Sequence, residues 1–353
     1  MTSRERVLAA FAHQQPDRVP VNYAGNPGIT ARLLRHYGLA ADDYEGLLRA
    51  LGVDFRAVGA PYVGPRLHED QPGRHVDLWG IRTRYIEHAS GGYWDYCDFP
   101  LREATAEEVA AWPMPSPDDY DTSGIAEACR QHDQYAINGA AGYGDIINGN
   151  GMLRGMEQTL IDLVTDDPAG LLLADRRLGV QLQVTARILE AAQGRVDFVW
   201  LGEDLGTQIA PIISLATFRK HIRPRYQPFC DLAKAYGIFV MMHTCGSSSW
   251  AYDDFIEMGI HVVDTLQPEA REMSPEYLKR TFGGRLAFHG CISTAGPLAT
   301  GTVQDVVDTV GETLEIMMPG GGYCLAPTHM IQDNTPTENV VAMYETAHRC
   351  GVY

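Results

Sequence analysis

Basic residues are scarce in this chain: lysine and arginine number 28 against 45 aspartates and glutamates, a formal net charge of −17. A surface of that sign repels phosphate backbones and anionic headgroups, so nucleic acid and membrane surfaces are poor partners. Long apolar runs are also missing, and none reaches the ~20 residues that a membrane span needs. Residues 1–16 are polar and amphipathic without an apolar segment, so no secretory leader is expected. Cysteine is sparse and irregular, with seven residues scattered at 97, 129, 230, 245, 291, 324 and 350. An odd, scattered set is no disulfide framework; it points to a reducing cytoplasm in which thiols stay available to a metal. No repeat of fixed period, low-complexity tract or interdomain linker stands out.

What is present is ordinary globular material, 45% hydrophobic and 21% charged, enough to bury a full core. The second half alternates short apolar runs with helical stretches. Runs at 197–201, 237–242, 261–266, 285–289 and 323–325 read as strands. Helices are expected over 215–236, near 250–258, from Ser274, from Thr302 and over 335–349. Ser274 followed by Pro275, and Thr335 followed by Pro336 and Glu338, carry helix-start signatures. Strand and helix alternating at this spacing mean parallel strands with covering helices. Runs at 18–22, 55–60 and 135–138 supply three more strands. The expected fold is therefore α/β, a (β/α)8 TIM-like barrel forming one domain over 1–353, with an open doubly wound sheet as the competing architecture. A helical segment precedes the barrel. An insertion follows the early strands: a β-hairpin over 76–87, an aromatic and glycine-rich stretch over 91–100, and a proline-rich extended loop over 112–120.

Barrel enzymes gather their chemistry at the C-terminal ends of the strands, and the unusual residues of this chain fall there repeatedly. Side chains two apart on a strand share a face, so His243 and Cys245 can both face the barrel mouth. An imidazole and a thiolate at roughly 2.0–2.3 Å from one ion are zinc chemistry. A buried, hydrogen-bonded histidine beside a small cysteine would leave the same spacing. Cys324, behind the turn Gly320-Gly321-Gly322, is the first choice for a third ligand, and Cys291 is its rival. Of Glu203 and Asp204, alternation turns one inward and the other into the helix layer. An inward acid would be a proton acceptor or, for Glu203, a fourth ligand, unless the pair only favours a helix N-terminus. Backbone amides from Gly246 onward offer an anion site, and Gln267 stands at the next strand end. These two are the candidate cofactor contacts. His329 is a third catalytic candidate; His289 and His329 would also serve as hydrogen-bonded structural groups. Arg154 is either a surface residue or an anion clamp. The aromatic stretch 91–96 either caps an apolar substrate or packs the hairpin.

The run from Gly202 to Gln208, His243-Thr244-Cys245-Gly246, Phe282 to Gly290, Gly320 to His329, Pro336 to Asn339 and the opening Arg4 to Val21 together resemble the uroporphyrinogen decarboxylase superfamily, over nearly the whole chain. The resemblance implies a TIM-like barrel. The decarboxylase itself carries an arginine-rich N-terminal segment for substrate carboxylates. Here the stretch Asn22-Tyr23-Ala24-Gly25-Asn26-Pro27 has no arginine. The chain looks more like the cobalamin-dependent methyltransferase branch, whose members hold zinc with a His-x-Cys pair and a distant cysteine near a glycine-rich last strand. Cys324 matches that cysteine by region. Many members with this tail have an aliphatic residue there instead. The implied activity is zinc-dependent methyl transfer between an ether oxygen or thiol sulfur of a small molecule and the cobalt of a corrinoid. No Asp-x-His-x-x-Gly motif is present, so the resemblance implies a corrinoid carried by a separate partner protein. The alternative is a metal-independent decarboxylase or lyase acting on a small carboxylated substrate through acids such as Asp204; a non-enzymatic barrel is a third reading.

Overall fold

Phe198–Gly202, Phe239–Thr244, Val262–Thr265, Ala287–Ile292 and Tyr323–Pro327 are buried at nearly every position. Burial on both faces is what a parallel strand between a core and a helix layer requires. The computed structural model describes residues 1–88, 91–142 and 144–353. Its strands are β1 (Phe55–Ala57), β2 (His75–Val76), β3 (Arg82–His88), β4 (Gly91–Tyr96), β5 (Ala136–Asn138), β6 (Phe198–Gly202), β7 (Phe239–Thr244), β8 (Val262–Thr265), β9 (Ala287–Ile292) and β10 (Tyr323–Pro327). β1, β5, β6, β7, β8, β9 and β10 lie side by side in that order, all parallel.

The eighth stave is a seam rather than a full strand. Residues 20–22 lie between β10 and β1. Leu325 N donates to Pro20 O (2.9 Å) and Asn22 N to Leu325 O (3.0 Å), while Asp54 N donates to Val21 O (2.9 Å). These bonds close the barrel. The expected strand 18–22 is shortened because Pro20 has no N–H to give a neighbour.

Helices form the outer layer, each following its strand: Arg223–Tyr236, Tyr252–Met258, Pro275–Phe282, Val303–Met317 and Thr337–Cys350. The helix expected over 215–236 is interrupted, since Phe218–Ile222 winds as a wider i→i+5 turn before Arg223–Tyr236 begins. Pro224 and Pro228 withhold their backbone donors from this stretch, and the widened turn absorbs the mismatch. Among the described residues no helix is long and apolar enough to cross a membrane.

The insertion is a separate antiparallel sheet, β2-β3-β4, so the aromatic stretch is a third strand of the expected hairpin. Ile81, Leu101, Val109, Leu153, Ala169 and Leu173 form a second apolar cluster that roots this insertion on the helices after β5. Arg154 is its polar pin. The buried guanidinium donates to both oxygens of Asp162 (2.6 and 3.1 Å) and to the carbonyls of Leu101 and Ala104. Neither a surface residue nor an anion clamp, Arg154 ties the helix Ile146–Arg154 to the loop that follows the insertion.

Candidate metal centre at the barrel mouth

Residues in register on neighbouring parallel strands share a face. His243 of β7 pairs with Asp264 of β8, and Asp264 pairs with His289 of β9. Three polar side chains are thereby lined up inside an otherwise apolar barrel. Asp264 accepts from Nδ1 of His243 (2.7 Å) and Nδ1 of His289 (2.6 Å), and Trp200 Nε1 donates to it as well (3.1 Å). Asn22, on the seam, donates from Nδ2 to Nε2 of His289 (3.0 Å). Burial would raise the Asp264 carboxyl, yet the two imidazoles hold it well below the usual carboxylate range. The Thr265 hydroxyl lies 2.9 Å from His243 Nδ1. Thr265 and Leu266 are held at φ of 91° and 55°, a conformation a β-branched residue adopts only when its surroundings force it.

With Nδ1 bound to Asp264, Nε2 of His243 points to Cys245 Sγ at 3.4 Å. His329 joins them. One donor atom from each of His243, Cys245 and His329 lies within 4.8 Å of the other two. Burial works against a charged His243, but the Asp264 bond, the Cys245 thiol and their charges outweigh it and lift the imidazole well above its ordinary value. The Cys245 thiol is pushed up by burial and pulled back by His243. Two imidazoles and a thiol, with a carboxylate on the outer nitrogen of one ring, form a donor set that suits zinc and leaves a fourth position open.

Cys324 is not part of this group. β10 runs on through Pro327, so Cys324 is the second residue of the strand and fully buried. Its thiol is pushed up by burial and by Asp54, which precedes β1 at the opposite end of the barrel. His329, five positions further along, is the residue that does reach the mouth. Cys291 is also elsewhere. The backbone twists at Gly290 and Cys291 (φ 131° and 73°), and the buried thiol lies near Tyr252 of the helix layer.

Glu203 is fully buried and faces away from the donor cluster. Its two oxygens accept from the amides of Ile146 and Ile147 (2.8 and 2.9 Å), and the Tyr226 hydroxyl lies 3.1 Å from Oε2. It caps the start of Ile146–Arg154 and is neither a fourth ligand nor a proton acceptor for the mouth. Asp204 is the acid that faces inward. It stands 3.9 Å from His243 Nε2, accepts from the Cys245 amide (3.0 Å), and accepts from Asn148 Nδ2 (2.8 Å). The anion site expected after Gly246 is closed, because the Gly246 amide donates to Gln267 Oε1 (2.7 Å) and the Ser247 amide to Thr207 O (2.7 Å). Gln267 thus positions the loop behind Cys245. Gly246 must be glycine there: φ is +69°, and a Cβ would stand 2.2 Å from Gly206 O.

A cavity of about 700 Å³ opens over this floor, lined among others by Asp204, His243, Asp264, His289 and His329. Tyr96 of β4 is in its wall, whereas Tyr93 and Trp94 are about half exposed. Asp264, Asp145, Asn148 and Asn22 join the site without having stood out in the sequence. For Asp264 a signal existed, since an acid in the middle of a buried apolar strand needs partners.

A closed parallel barrel with ionisable side chains gathered at the C-terminal strand ends is the architecture of the TIM-barrel enzymes. The chain belongs to the uroporphyrinogen decarboxylase (URO-D) family, whose model matches residues 154–350. Among solved structures, a methyltransferase from Methanosarcina mazei superposes with a TM-score of 0.63 at 18% identity, covering 99% of each chain. At that identity the likeness shows the shared fold. D-psicose 3-epimerase (TM-score 0.36, 13% identity, 66% of this chain and 83% of that one) overlaps far less. So does 3-keto-D-glucoside 4-epimerase from E. coli (0.33, 12%, 65% and 86%). No curated protein sequence matches the chain significantly.

Proposed function

We propose that this protein is a zinc-dependent methyltransferase that moves a methyl group between a heteroatom of a small molecule, ether oxygen or thiol sulfur, and the cobalt of a corrinoid carried by a separate protein. The observation that carries this reading is the convergence of His243, Cys245 and His329 donor atoms within 4.8 Å of one another, with both histidines in the cavity lining. The full-length likeness to a methyltransferase fold supports it. His243, Cys245 and His329 would hold the metal, with His329 in the place first given to Cys324. Zinc, when bound, supplies a Lewis acid for the substrate heteroatom. Asp264 fixes the His243 ring so that Nε2 is presented. Asp204, beside the cluster, is positioned to accept the proton a thiol or hydroxyl gives up. The exposed rim at His329 and Met330 is open to an incoming partner.

Decarboxylation of a small carboxylated substrate without metal finds less support. Arg56 is the lone lysine or arginine among the described residues lining the cavity, and Glu45 already takes it at 2.8 and 2.9 Å.

The test is metal analysis together with turnover. About one zinc per chain is expected in protein purified without chelator, and its removal should abolish methyl transfer to or from a corrinoid protein. Metal-free protein that retains full activity would end this reading. Asp264→Asn is expected to weaken zinc about 10–100-fold in a chelator competition, because one imidazole loses its acceptor. Unchanged affinity would mean that Asp264 only fills space.

A further inference from the structure

Carboxylates outnumber the cations around this cavity. Four carboxylates line it: Glu45, Asp145, Asp204 and Asp264. Glu45 is cancelled by Arg56. Asp264 is shared between two imidazoles. Asp204 has His243 beside it at 3.9 Å, and Asp145 has the buried Arg177, whose guanidinium donates to the Asp145 carbonyl (3.2 Å) and not to its carboxylate. The Asn148 side-chain amide donates to both, at 3.0 and 2.8 Å, holding the two carboxylates as neighbours. Their remaining donors are backbone amides of Asn148 and Cys245. Burial first, and the charge of Asp204 after it, push the Asp145 carboxyl up, while the Asn148 donors and Arg177 pull it back. A zinc ion held by one thiolate would add one net positive charge and Arg177 supplies another, so Asp145, Asp204 and Asp264 still leave one negative charge in excess.

The walls are aromatic. Tyr23, Tyr44, Phe55, Tyr96, Phe198 and Trp200 all contribute to the lining. Tyr96 is near enough to Asp145 for that carboxylate to raise its hydroxyl, after burial. Ring faces attract cations, and quaternary ammonium groups above all, when water is excluded.

Resting on the reading of this site as a methyltransferase, we infer that the small molecule it handles carries a positively charged nitrogen, a methylated ammonium, seated between the Asp145–Asp204 pair and the aromatic wall. The same excess disfavours carboxylated and sulfonated substrates. Asp145 and Asn148 become specificity residues: Asn148 fixes the two carboxylates, and Asp145 sets the charge.

The test uses zinc-replete wild-type protein and calorimetric titration with tetramethylammonium, choline, the neutral choline isostere 3,3-dimethylbutan-1-ol, and acetate. The two cations are expected to bind at least about tenfold more tightly than the isostere. Their affinity should fall with added salt while that of the isostere stays constant. Asp145→Asn should erase most of the preference without changing zinc content. Should that variant misfold, the salt dependence in the wild type decides alone. Equal binding of the isostere, or tighter binding of acetate, overturns the inference. Zinc measured on the same samples separates the two ideas. Zinc present without cation preference refutes the substrate class and leaves the methyltransferase reading standing. Zinc absent refutes that reading, whatever the cations do.

Discussion

His243→Ala and Cys245→Ser are each expected to strip the zinc from the purified protein and abolish methyl transfer, whereas Cys324→Ala is expected to keep both. His243 and Cys245 supply two donor atoms 3.4 Å apart, and a site with three protein ligands does not survive the loss of either of them. Cys324 is fully buried, with Asp54 and not the donor cluster as its ionisable neighbour. Alanine is the better replacement there, since a buried hydroxyl without a partner would add about 1–3 kcal/mol of its own. His329→Ala should fall between these cases, weakening zinc strongly while leaving the His243–Cys245 pair to scavenge it at high metal. Loss of zinc in Cys324→Ala with retention in His329→Ala would reverse the ligand assignment. All four variants should keep the secondary structure of the parent by circular dichroism.

The barrel was legible because its late strands are buried on both faces and read as unbroken apolar runs. Their ends were less so. The run 323–325 continues through Ala326 to Pro327, which is the last paired residue. That two-residue difference moved the mouth from Cys324 to His329. His243 and Cys245 needed nothing but alternation to be placed. Asp264 needed a partner across the strand, and register between strands is a tertiary fact. Glu203 and Asp204 illustrate the same limit: alternation separates the two, but only the packing of Ile146–Arg154 against β6 determines which is the cap. The seam at residues 20–22, expected as a strand over 18–22, makes two backbone bonds to Leu325 and one to Asp54, too few for a full strand.

That seam also carries the largest expected effect on stability. Asp54→Ala should cost about 3–5 kcal/mol in denaturant unfolding, the usual penalty for removing one partner of a buried ion pair. Asp54 is fully buried. Oδ1 accepts from Arg6 Nη1 (2.7 Å), Arg18 Nη2 (3.0 Å) and Ser3 Oγ (2.7 Å). Oδ2 accepts from Arg18 Nη1 (2.8 Å) and from the Val21 amide (2.8 Å). One carboxylate therefore holds the N-terminal helix Ser3–Phe11, the arginine before the seam and the seam itself. Asp54→Asn should be little better, because whichever way the amide turns, its NH2 group meets donors. A loss below about 1 kcal/mol in both variants, the level of a surface pair, would show that Arg6 simply leans on Asp17 instead. The consequence reaches the mouth. Val21 is followed by Asn22, Asn22 orients His289, and His289 shares Asp264 with His243. Protein that stays folded with Asp54→Ala should thus bind zinc more weakly than the parent, although Asp54 lies at the other end of the barrel; unchanged zinc affinity in the folded variant would show that seam and metal centre are independent.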